Sequence, residues 1–78
     1  MGSIHQVEVI VHVDESLDDE RRDSMVSNLK GRDGVESAQF TPGREHLMLI
    51  DYDSDKLNSN DILGFVKEEH VGAELVGP

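Results

Sequence analysis

Residues 6 to 21 narrow the fold more than any other stretch. Val7, Val9, Val11 and Val13 alternate with Glu8, Ile10 and His12, and Asp14-Glu-Ser-Leu-Asp-Asp-Glu-Arg21 follows. A period of two with valine on one side is the pattern of a strand covered on one face. Ser16 then suits an N-cap, with Asp19 three residues on as an approximate capping box. Asp18, Asp19 and Glu20 lie where the positive end of a helix dipole favours anions. The reading is a central strand running through a short acidic loop into a helix that ends near Lys30, with Leu17, Met25, Val26 and Leu29 turned inward and Gly31 or Gly34 as its stop.

The rest of the chain supplies partners for that unit. Val35 to Thr41 reads as a second strand, Pro42-Gly-Arg-Glu45 as a turn, and His46 to Asp53 as a third strand, giving an antiparallel hairpin. Asn58-Ser-Asn-Asp61 offers N-caps for a second helix that buries Ile62, Leu63, Phe65 and Val66 and ends near His70-Val-Gly72; Ala73 to Val76 is a short last strand. The order β-α-β-β-α-β is that of an α+β, ferredoxin-like sandwich, a four-stranded antiparallel sheet with two helices on one face. Residues 1–78 are expected to form this single domain, since no linker or low-complexity tract interrupts them.

Charge and composition remove several functions. With 17 acidic residues against 7 basic ones, a net charge of −10 repels nucleic acid and anionic membrane. The absence of cysteine rules out a disulfide, a thiolate metal site and a thiol nucleophile. No run approaches the roughly 20 apolar residues that cross a bilayer, so a cytoplasmic location is expected. Ser16, Ser24 and Ser27 lack a nucleophile elbow or paired base, and no glycine-rich phosphate loop exists, so no enzyme is expected. Asp51-Tyr-Asp53-Ser-Asp55 imitates the start of an EF-hand loop, but Lys56 stands where its glycine belongs and Ile62 where its bidentate glutamate belongs.

Gly34-Val-Glu-Ser-Ala-Gln-Phe40, Met48-Leu-Ile-Asp-Tyr-Asp53 and the stretch from Ser59 to Gly72 together resemble the heavy-metal-associated domain family of metallochaperones and transporting ATPases, over nearly the whole chain. The resemblance implies the ferredoxin-like fold, an origin in metal handling, and docking on a partner through the first loop and helix. The family's two metal-binding cysteines would fall close to Asp18 and Arg21, neither of which supplies a thiolate.

Two function classes therefore stay open, with a small-ligand regulatory domain of the ACT type as a third. One is a non-catalytic domain that works by contact, as a weak homodimer or with a protein partner. If Met48, Ile50 and Tyr52 face the helices with the valines, then Ile10, Leu47, Leu49 and Val76 form an apolar patch on the open face of the sheet. The other class binds a divalent metal ion through histidine and carboxylate, drawing on His5, His12, His46, Asp14 and Asp18. Of these, His5 and His46 are the expected close pair. The competing account of the acidic residues is helix capping, and of the histidines, ordinary solvation.

Overall fold

The computed structural model describes residues 6 to 76. Its elements are β1 (Gln6–Val13), α1 (Asp19–Lys30), β2 (Val35–Thr41), β3 (Arg44–Asp53), α2 (Ser59–Lys67) and β4 (Ala73–Leu75). The strands form one antiparallel sheet in the order β2-β3-β1-β4, so β1 and β3 are the central pair as the pattern predicts. Among the described residues no helix is long and apolar enough to cross a membrane.

One face of the sheet is sealed by the helices. Val11 and Val13 of β1, Ala38 of β2, and Met48, Ile50 and Tyr52 of β3 are buried there against Met25 and Leu29 of α1 and Ile62 and Val66 of α2. The expected valine stripe fades toward the start of β1. Val9 is half-buried and Val7 is 39% exposed, because the chain there runs past the helices that cover Val11 and Val13.

The helix ends follow local chemistry, with one correction. Asp18 rather than Ser16 caps α1: its Oδ1 accepts from the backbone N–H of Arg21 at 2.8 Å, which leaves residues 14–18 as loop. Asn58 caps α2 in a complete capping box. Its Oδ1 accepts from the Asp61 N–H at 2.9 Å, while Asp61 Oδ2 accepts from the Asn58 N–H at 3.0 Å. That helix stops at Lys67, earlier than expected, and His70 then takes a left-handed turn at φ 67°. Gly34, at φ 96°, lets the chain enter β2 directly beneath Leu57; a Cβ there would stand 2.8 Å from the Leu57 side chain.

The hairpin is tighter than the sequence suggested, since Pro42 and Gly43 alone separate Thr41 from Arg44. Between the Thr41–Arg44 and Phe40–Met48 pairs, β2 advances one residue and β3 advances four, so Glu45, His46 and Leu47 have no partner on β2. Bulges of this kind re-aim side chains at a sheet rim. Here the break lies beside the end of β1.

Candidate functional site

Three loci bear on function: the loop between β1 and α1, the rim where β1, β3 and β4 meet, and the open face of the sheet. In the loop, Asp18 and Arg21, near which the resemblance would put two cysteines, are groups that close the structure. Asp18 is committed to the α1 cap. Arg21 crosses to the turn after α2, where its guanidinium pairs with Glu69 Oε1 at 3.3 Å and also donates to the Glu69 carbonyl. The Glu69 side chain is only 12% exposed, and Asn28 Nδ2 donates to the same Oε1 at 3.0 Å. The loop is tied to the opposite turn a second time, for Asp14 N–H donates to the Gly72 carbonyl and Gly72 N–H to Glu15 Oε1, both at 2.9 Å.

At the rim, β-sheet register assembles a cluster. His12 of β1 stands directly across from Glu74 of β4, and Asp14 follows two residues after His12. His12 Nδ1 lies 2.6 Å from Glu74 Oε2 and 3.2 Å from Asp14 Oδ1. One ligand atom from each of the three residues lies within 4.8 Å of the others. The hydrogen bond to Glu74 is the larger cause that raises the His12 pKa above its ordinary value of 6.5; partial desolvation opposes it, and the charges of Glu74 and Asp14 and the bond to Asp14 add to it. The His46 ring stacks on His12, with centroids 5.7 Å apart and planes at 16°. Its own Nδ1 donates to the Val13 carbonyl at 2.7 Å. His12, His46 and Leu47 line a shallow depression with Gly43, Arg44 and Glu45 of the hairpin.

Of the metal-ligand candidates read from the sequence, the structure brings together His12 and Asp14, with His46 stacked alongside. Asp18 is not among them, being held at the helix cap. The expected partner of His46, His5, lies outside the described residues, and His46 meets His12 instead. Glu74 was missed. Its signal was available only through register, because 62 residues separate it from His12 and nothing local marks it.

On the open face, alternation and register align Val76, Ile10, Leu49 and Gln39 in one row across β4, β1, β3 and β2. Val76 lies one residue past β4, yet its N–H still bonds the Ile10 carbonyl at 2.9 Å. It is 42% exposed, whereas Ile10, Leu47 and Leu49 are half-buried. The next row holds Glu74, His12 and Leu47.

No family model matches the chain, and no curated protein sequence does. Solved structures do. A copper binding domain from HMA7, a P-type ATPase, superposes with a TM-score of 0.79 at 17% identity, covering 90% of this chain and 93% of that one. The first domain of the human copper chaperone for SOD1, in its copper(I)-loaded form, gives 0.76 at 17% identity over 92% and 94%. The CopZ metallochaperone gives 0.72 at 20% identity over 90% and 100%. The chain thus has the ferredoxin-like fold of the heavy-metal-associated domains of copper chaperones and a P-type ATPase, and it has no cysteine.

Proposed function

We propose that the chain is a non-catalytic domain of metal homeostasis that acts by protein contact through the open face of its sheet, without a thiolate site. The observation that carries this reading is the row Val76, Ile10 and Leu49, which crosses from the end of β4 over β1 to β3 on the face that neither α1 nor α2 covers. The context of metal handling is supported by the fold shared with domains named for copper binding. Support for contact in place of thiolate chemistry comes from the first loop, where Asp18 and Arg21 hold the fold together.

The partner to test first is a second copy. Apolar rows on two open faces are mutually complementary, but a charge of −10 on each copy opposes their approach. Self-association is therefore weak at low salt and strengthens as screening shortens the repulsion to about 10 Å at 0.1 M. Sedimentation at low and moderate salt is expected to show a concentration-dependent dimer that Leu49→Lys weakens. A wild-type chain that stays monomeric at high concentration in both salts would exclude the homodimer and leave contact with a different, basic-rimmed protein. An undiminished dimer in Leu49→Lys would move the interface off this face.

A further inference from the structure

We propose that His12, Asp14 and Glu74 form an exchangeable binding site for a zinc-type divalent cation at the rim of the sheet. This site occupies the row next to the contact row, and its Asp14 opens the first loop, whose Asp18 is taken by the α1 cap. Its ligands come from positions that the backbone fixes. His12 and Glu74 are a register pair of adjacent strands, and the Asp14 N–H is bonded to the Gly72 carbonyl at the start of that same pairing. The three side chains are already convergent, so little rotamer freedom remains to be lost when an ion enters.

The distances suit a small ion after modest rotation. Ligands about 2.1 Å from a tetrahedral zinc ion stand about 3.4 Å from one another. His12 Nδ1 is now 2.6 and 3.2 Å from the two carboxylate oxygens, and all three ligand atoms lie within 4.8 Å of one another. Widening the 2.6 Å separation by about 0.8 Å and the 3.2 Å one by about 0.2 Å opens the space an ion occupies. His12 binds through Nδ1 with its ring proton on Nε2, and the ion takes the place of the hydrogen that now joins the ring to Glu74 and Asp14. Water completes the coordination, because the side chains of His12, Asp14 and Glu74 are 41, 53 and 54% exposed. That exposure makes the ion exchangeable.

The donor set selects the kind of cation. One imidazole nitrogen with two carboxylates suits zinc and its first-row neighbours, whereas calcium takes six to eight oxygens and magnesium prefers to keep its water. His46 is not among the converging ligand atoms; its Nδ1 donates to the Val13 carbonyl and its ring flanks the site by stacking on His12.

The test is calorimetric titration of the whole chain with zinc chloride, repeated with calcium chloride and followed by NMR of the histidine rings. The expected result is one zinc ion per chain, perturbation of the His12 ring, and an affinity that falls about tenfold or more in His12→Ala and in Glu74→Gln. His70→Ala is expected to bind as the wild type does, and calcium to bind far more weakly than zinc. Equal affinity in wild type and His12→Ala would show an ion pair with no metal role and overturn the proposal. Equal binding of calcium would reduce the site to a diffuse acidic surface and overturn it as well. A loss in His46→Gln as large as that in His12→Ala would replace the triad with a histidine pair. Loss of zinc binding in His12→Ala with the sedimentation behaviour unchanged would separate this site from the contact row.

Discussion

Val11→Asp tests the packing argument at its centre. Val11 has no solvent exposure and lies between Met48 on β3 and Leu75 on β4, facing the helices. Removing the buried side chain forfeits about 1.5–3 kcal/mol of burial. Desolvating a carboxyl group that finds no partner costs about 2–7 kcal/mol more. The sum, about 4–10 kcal/mol, compares with a total stability of about 4–12 kcal/mol for a domain of 78 residues. The variant is therefore expected to be largely unfolded in water. The assay is urea denaturation followed by circular dichroism, with NMR dispersion as the check on native packing. At a slope of about 1 kcal/mol per molar urea, the smallest loss already moves the midpoint by about 4 M. Val7→Asp is the control, since Val7 lies on the same strand but is 39% exposed; it is expected to fold with a midpoint near that of the wild type. A natively dispersed Val11→Asp would refute the assigned phase of β1 and the open-face row with it, while a Val7→Asp that unfolds as readily would show that the helix cover reaches the start of the strand.

Two further outcomes follow from the rim and the first loop. The His12 ring is expected to titrate above 6.5 by NMR, because its hydrogen bond to Glu74 favours the charged form, and to return toward that value in Glu74→Gln. The folded pKa is raised, so the stabilisation from this pair is complete below pH 6.5 and is lost as pH rises through the folded value; a ring unaffected by Glu74→Gln would contradict the geometry. The wild-type chain is expected to lose Cu(I) to a competing chelator, since its only sulfurs are thioethers and those of Met25 and Met48 are fully buried. The double variant Asp18→Cys with Arg21→Cys should gain tight Cu(I) binding, as the two positions meet across the first turn of α1, where a helix N-terminus favours thiolates. A folded double variant with no gain would show that the loop geometry differs from that of the solved relatives.

The strand phases were legible because burial on one face writes a period of two directly into β1 and β3. The α2 cap was legible because Asn58 and Asp61 carry both halves of a reciprocal bond within four residues. The start of α1 was not, because Ser16, Asp18 and Asp19 are all competent caps, and the choice depends on where β1 releases the chain. The rim was half legible: His12, Asp14 and His46 could be named as candidates, but their meeting depends on strand register and on the break in β3. Glu74 lay beyond local reading, since its only mark is the strand pairing that carries it to His12. Neither Asp18 nor Arg21 announces its structural task, for Arg21 depends on a glutamate at the far end of the chain.

The break in the β2–β3 ladder divides the sheet into regions of unequal persistence. Below the Phe40–Met48 pair, strand separation would uncover Met48 and Ile50, so those backbone bonds open only with the whole domain. Beyond it, Pro42, Gly43, Arg44 and Glu45 are exposed, and the hairpin closes through the Thr41–Arg44 pair with no buried side chain to hold it. The tip, tied to α1 by the 3.6 Å ion pair of Arg22 and Glu45, is therefore expected to exchange its amide protons faster than the sheet. His46 and Leu47 join the tip to the sheet, so such opening would alter the edge of the depression beside His12 and leave the core packing in place.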